Sequence, residues 1–134
     1  MKEKILKKLA NNTNIKNVYF LGEVNDEVRN TYKKNALLKV IPSRSEAMSM
    51  VALESSILGT PILATSSCGI DDFMSNYAGD ICAPNANSIA ESLNNILEDT
   101  TRLEKVGNNA KNYVYKNYSW QKIFSEINSN LEVF

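Results

Sequence analysis

The sequence predicts an α/β fold in three layers, a parallel sheet with helices on both faces. Two observations carry this expectation. Short continuous runs of β-formers alternate with stretches of helical periodicity, and continuous apolar runs mark strands covered on both sides. Strands separated by helices also call for parallel pairing through right-handed crossovers. A chain of 134 residues, 43% hydrophobic and 22% charged, has the size and composition of one globular domain with one core.

The elements follow in order. Residues 2–11 read as a helix with Ile5 and Leu9 on one side, stopped by the polar run 11–14. Val18 to Leu21 is a run of β-formers ended by Gly22, the mark of a buried strand. Asn25 and Asp26 can cap a helix over 26–35 with Val28 and Tyr32 facing inward. Leu37 to Ile41 is the next strand, closed by Pro42. Ser49 is placed to cap a helix over 50–58, with Met50, Leu53 and Ile57 as its apolar stripe and Gly59 at its end. Pro61 to Ala64 reads as a third strand, and Ile81 to Ala83 as a short fourth. Three helices complete the chain over 88–98, 101–117 and 120–130, capped by Asn87 or Ser88, by Thr100 or Thr101, and by Ser119. Trp120 is expected to anchor the last helix in the core, and Ile123, Phe124, Ile127 and Leu131 to form a partly exposed stripe. The whole is a Rossmann-like arrangement. Three or four strands are few for such a domain, and the chain opens on a helix, so a preceding strand is expected to be absent.

Composition narrows the chemistry. Lys+Arg and Asp+Glu both number 15, which argues against a nucleic-acid footprint. The lysine-rich start, MKEKILKK, reads as a solvated helix face, with an anionic membrane surface or a missing segment as the alternative. The chain has no histidine, which removes the usual general base and the commonest metal ligand. Cys68 and Cys82 match no zinc spacing and read as reduced, mostly buried thiols, so no metal is expected. No apolar run approaches the ~20 residues that span a bilayer, and no signal peptide is visible, which together predict a cytoplasmic protein.

Ligands of open parallel sheets bind beyond the carboxyl ends of the strands. That rule selects the loops 22–25, 43–49, 65–72 and 84–87. The second is the most informative, because Ser43-Arg44-Ser45-Glu46-Ala47-Met48-Ser49 leads directly into a helix N-terminus, where free amides and the helix dipole favour an anion. Small residues such as Ala47 and Ser49 let a phosphate approach the backbone. Glu54, about a turn and a half inside that helix, can accept from two vicinal hydroxyls of a ribose. Glu46 faces whatever lies beyond the phosphates.

The spacing Glu46-x7-Glu54 within PSRSEAMSMVALESSILGTPILAT strongly resembles the group 1, family 4-like glycosyltransferases of GT-B fold. Their second domain carries P-S-x-x-E-x-x-x-x-x-x-x-E-A-x-x-x-G-x-P-V. Asn17 to Gly22, the loop Thr65 to Asp72, Ala78-Gly79 through Pro84, the helix with Ile89 and Ala90, and Tyr118-Ser119-Trp120 are similar in order and spacing, so the resemblance covers roughly 15–125. It implies that the chain is the C-terminal, nucleotide-sugar-binding half of such an enzyme, a single domain over 1–134 without its first strand and without the acceptor domain. By resemblance, Glu54 binds the ribose, and Glu46 holds donor-sugar hydroxyls beside the reacting centre. The backbone of Met48 and Ser49 cradles the diphosphate, and Gly22 and Val24 flank the base. Ser43, Arg44, Ala47, Thr65 and Gly69 complete the implied donor site. The implied reaction moves a hexosyl group from a nucleoside-diphosphate sugar to an acceptor hydroxyl, retaining its stereochemistry, in bacterial glycan or polysaccharide synthesis. No metal or other cofactor is required. The missing acceptor domain, or a partner chain in its place, is an implied partner, and the full-length enzyme could lie peripheral to a membrane.

The chain also departs from the pattern. Ala47-Met48-Ser49 replaces the common Gly-Phe-Gly, Cys68-Gly69 stands for Gly-Gly, and Asp72 for glutamate. The family's arginine and lysine that neutralise the diphosphate have no matching segment ahead of residue 16. The isolated chain is therefore expected to bind donor without transferring it, and a non-catalytic remnant or subunit that pairs with another chain is the alternative. A receiver-like signalling domain is disfavoured because the strands end in Gly22, Pro42 and Ala64 rather than in acidic residues.

Overall fold

The computed structural model describes residues 2–13, 15, 17–74 and 78–131. The elements are α1 (Lys2–Asn12), α2 (Asp26–Asn35), β1 (Lys39–Ile41), α3 (Met50–Ile57), β2 (Ile62–Thr65), α4 (Asp71–Phe73), β3 (Gly79–Cys82), α5 (Ala86–Glu98), α6 (Thr101–Asn117) and α7 (Trp120–Leu131). The three strands form one parallel sheet in the order β1-β2-β3, with Ile41 beside Ala64 and Ala64 beside Ile81. Among the described residues no helix is long and apolar enough to cross a membrane.

β2 is buried along its whole length, and its side chains divide between the two faces. Ile62 and Ala64 enter a core with Ala52 and Leu53 of α3 and Ala110 and Val114 of α6. Leu63 points the other way, packing with Cys82, Ile96 of α5 and Leu103. The two-residue period of a strand thus supplies both halves of the three-layer core. Cys68 and Cys82 are both buried, reduced thiols.

Helix starts follow local chemistry. The Asn25 side chain accepts from the Val28 amide at 2.9 Å, with Asp26 and Glu27 in the first turn of α2 and Lys33 and Lys34 in its last. Gly59 ends α3 at φ +83°, a conformation that other side chains resist. The α5 cap lies earlier than the sequence suggests. Asn85 Oδ1 accepts from the Ser88 amide at 2.9 Å, so the helix begins at Ala86.

Several expectations are corrected. Val18 to Leu21 forms no strand; the segment is exposed beside α1, where the Lys7 ammonium sits 5.7 Å from the centroid of the Phe20 ring. A strand exists only with a hydrogen-bonded neighbour, and among the described residues none runs beside this one. The expected stripe on α3 also turns. Met50 and Ile57 are exposed, and the buried face is Ala52, Leu53, Ser55 and Ser56. On α2 the expected inward residues Val28 and Tyr32 are exposed, while Lys33 is buried. Trp120 is 80% exposed and anchors nothing; Phe73, Tyr113 and Tyr118 form the aromatic cluster at that end instead, with the Phe73 and Tyr113 rings 5.3 Å apart. The exposed apolar stripe on α7, with Phe124, Ile127 and Leu131, is present as expected. The side chain of Asp72 lies outside the described residues.

The small face of α3 has a steric reason. α6 crosses the end of α3 so closely that a Cβ on Gly107 would stand 2.0 Å from the Gly59 carbonyl oxygen and 3.3 Å from Pro61. Gly107→Ala is expected to lower the free energy of unfolding by about 2–3 kcal/mol, measured as a fall in the urea midpoint at unchanged slope.

Candidate functional site

The carboxyl ends of β1 and β2 are tied together by loops that hydrogen-bond to each other. The Thr65 hydroxyl donates to the Ser43 carbonyl. The Glu46 amide donates to the Ser67 carbonyl at 2.8 Å, and the Ser49 amide to the Cys68 carbonyl at 3.1 Å. Gly69, at φ +66°, lies so near the first loop that a Cβ would stand 2.0 Å from the Ala47 carbonyl oxygen. Only glycine fits this position, by conformation and by space. Ser43, Glu46, Ala47, Ser49, Thr65 and Gly69 therefore form one cluster at the sheet's carboxyl end.

That cluster leads into the N-terminus of α3. Ser49 occupies the N-cap position, but its side chain makes no cap bond. The residue is fully buried and its Oγ has no partner. Among the described residues, the amides of Ala47, Met48 and Val51 donate to no carbonyl. No acidic residue occupies the first turn. An unpaired buried hydroxyl beside open amides, at the positive end of a helix, suits an anion. Glu46, half-buried, brings a second unmatched atom, because its Oε2 is buried without a partner. Arg44 is exposed beside them, with no ion pair among the described residues.

Glu54 sits elsewhere on the same helix. It borders a cavity of about 620 Å³ whose walls include Leu21, Val24, Arg29, Tyr32, Lys33 and Val51. Glu54 Oε2 accepts from Lys33 Nζ at 2.6 Å, with Lys33 6% and Glu54 48% exposed. The structure thus brings Val24 and Glu54 to one cavity and puts Glu46, Ser49, Thr65 and Gly69 in a separate cluster. Val51 belongs to both, carrying an open amide at the helix start and lining the cavity. Gly22, at φ +69° with open space about it, lies between the lining residues Leu21 and Val24.

Lys33 was not singled out by the sequence. Its pairing with Glu54 joins residues 21 apart, and the only local signal is a lysine beside the expected inner face of α2. The bonded Lys33 ammonium holds the Glu54 carboxyl below its ordinary value against the opposing pull of desolvation, and Arg29 adds to the lowering. The stabilisation from this pair is therefore complete above the ordinary glutamate range and is lost as pH falls through the lowered folded value. Relative to Glu54→Gln, the protein is expected to be more stable at pH 7 by about 1–2 kcal/mol, between exposed and buried pairs. That difference should shrink as urea titrations are carried to acid pH.

With the geometry in place, comparison with known proteins identifies the chain. The family described as glycosyl transferases group 1 matches residues 1–113. An uncharacterised glycosyltransferase of Methanocaldococcus jannaschii is 37% identical over 111 residues, covering 81% of this chain and 28% of that protein. The lipopolysaccharide 1,2-N-acetylglucosaminetransferase of Salmonella typhimurium is 30% identical over 115 residues, covering 83% and 30%. Sucrose-phosphate synthase from Thermosynechococcus elongatus superimposes with a TM-score of 0.84 at 25% identity, over 98% of this chain and 34% of that one. Anabaena HepE in complex with UDP also gives 0.84, at 21% identity, over 98% and 36%. The chain spans about a third of the length of these relatives, and it belongs to the group 1 glycosyltransferases, with the architecture of one half of a GT-B fold.

Proposed function

We propose that the chain is the donor-binding domain of an enzyme that moves a hexosyl group from a nucleoside-diphosphate sugar to an acceptor hydroxyl. The observation that carries this reading is the arrangement along α3. Open amides and an orphan hydroxyl stand at its N-terminus, and a carboxylate stands on a cavity about 7.5 Å further along the axis, taking five residues at the helical rise. The reading places a diphosphate at the first and a ribose at the second. HepE, of similar fold, is described in complex with UDP and with UDP-glucose, which supports a nucleotide sugar as ligand.

On this reading the diphosphate rests against Met48, Ser49 and Val51, with Arg44 the nearest cation in the loop. Glu54 accepts from the ribose, and Val24 and Gly22 flank the base. Glu46 holds hydroxyls of the sugar with its unmatched oxygen and is the residue nearest the reacting centre. Transfer joins the acceptor oxygen to the anomeric carbon as the bond to the β-phosphate oxygen breaks, its electron pair staying on the diphosphate, which takes up the proton of the acceptor hydroxyl. The helix N-terminus stabilises that charge without a metal. Retention of stereochemistry and a role in polysaccharide synthesis belong to the same proposal. So do a cytoplasmic location and an acceptor site supplied outside residues 1–134, which leaves the isolated chain able to bind but not to transfer.

Titration of the chain with UDP, GDP and ADP, followed by backbone NMR, tests the reading. At least one nucleotide is expected to shift amides 43–54. Ser49→Ala should weaken that nucleotide about tenfold, the loss of one hydrogen bond to a charged group, while the uncharged nucleoside is unaffected. If all three nucleotides leave these amides unmoved, the donor-site reading fails.

A further inference from the structure

The ion pair that ties α2 to α3 has a geometry that bears on ligand selection. Lys33 is 6% exposed, so its ammonium lies almost out of water and needs a charged partner. Glu54 provides it through Oε2 alone, at 2.6 Å. Among the described residues no hydrogen bond engages Oε1, and the glutamate side chain is 48% exposed on the cavity side. The lysine's own backbone is also anchored. Its carbonyl accepts from the buried Thr60 hydroxyl at 2.6 Å, which links the end of α2 to the turn after α3. A long flexible carboxylate is thereby held at one oxygen by a cation whose own backbone is hydrogen-bonded to the turn after α3.

We propose that Lys33 is a positioning residue for sugar discrimination, fixing Glu54 so that its free oxygen selects a nucleotide with an intact ribose diol over one lacking the 2′-hydroxyl. This rests on the donor-site reading above, and it assigns to a residue of α2 the selectivity expressed on α3. The physical basis is preorganisation. A glutamate free to turn loses side-chain entropy when it meets the diol, whereas one already held by Lys33 has lost it on folding. The pair also keeps the carboxylate ionised, and a charged acceptor makes the stronger hydrogen bond. Arg29, on the same cavity, adds positive potential without a hydrogen bond to the carboxylate among the described residues.

The experiment measures dissociation constants for ribonucleoside diphosphates and their 2′-deoxy counterparts, UDP with dUDP, GDP with dGDP and ADP with dADP. It compares the intact chain with Lys33→Met, Lys33→Arg and Glu54→Gln, each checked for folding by its amide spectrum. The unaltered chain is expected to favour the ribo form of its nucleotide by about tenfold, the loss of a hydrogen bond to a charged group. Lys33→Met should reduce that preference to within about twofold while leaving the deoxy form's affinity unchanged. Lys33→Arg should restore it, and Glu54→Gln should abolish it. A Lys33→Met chain that keeps the preference, or that loses both forms equally, overturns the proposal while the donor site stands. If Lys33→Met does not fold, loss of the preference in Lys33→Arg overturns it and retention supports it. Failure of every nucleotide to bind the unaltered chain overturns the donor-site reading and this inference with it.

Discussion

The burial of β2 is the constraint on which the remaining structure depends. It is the strand with a neighbour on each edge, and no residue from Ile62 to Thr65 is exposed. A strand covered on both faces must satisfy its backbone within the sheet and fill two cores with alternating side chains. Ile62 and Ala64 fill one and Leu63 the other, so the helices flanking the sheet take their places from a single four-residue segment. Thr65, its last residue, carries that rigidity to the neighbouring loop. Its hydroxyl donates to Ser43 across the sheet's carboxyl end, which sets the loop carrying Glu46.

The second consequence is how near α3 must lie. Ile62 and Ala64 share their core with α3, and α6 presses on the turn at Gly59. α3 answers with Ala52, Ser55 and Ser56 inward, residues of low volume but with hydroxyls that cost free energy if left unpaired. Ser55 returns its hydroxyl to the Val51 carbonyl at 2.8 Å, a bond available inside any helix. Ser56 and Ser49 have no such partner. The case of Ser49 differs from that of Ser56 because it stands at the helix N-terminus, where free amides and the helix dipole favour an anion.

Much of this was legible in the sequence for identifiable reasons. Caps and stops such as Asn25 and Gly59 act through neighbouring backbone, so the residue and its consequence lie within a few positions. The alternation of strand and helix, and the PSRSE loop before a helix, are similarly local. What misled were residues whose state depends on distant partners. Val18 to Leu21 has strand composition, but pairing rather than composition makes a strand, and β1 presents its second edge to no described segment. Met50 and Ile57 share a helical period with Leu53, yet the inward face was decided by the close approach of α6, which favours small side chains over apolar ones. Trp120 reads as a core anchor by size alone, whereas Tyr113 and Tyr118 already pack against Phe73 at that place. Lys33 was invisible because hydrophobic periodicity treats a lysine as solvent-facing by default, and its burial is made possible by Glu54 on another helix.

The two glutamates differ in a way that their matched spacing conceals. Glu54 is satisfied at one oxygen by a buried cation, ionised and held, and such a group is poorly suited to take or give a proton. It is suited to accept hydrogen bonds from a neutral diol without rearranging. Glu46 instead keeps a buried oxygen with no partner, while its amide is fastened to Ser67. Its backbone is fixed and its side chain is unmatched, so its burial carries a cost that a hydrogen-bond donor would offset. On the donor-site reading proposed above, the pair divides one ligand between a prepared acceptor and an incomplete one. On that reading, binding at Glu54 draws on order established by folding, and binding at Glu46 supplies what folding left unsatisfied. The eight-residue helix α3 converts that difference into a fixed separation, carrying Glu54 while its start is stitched to the loop that holds Glu46.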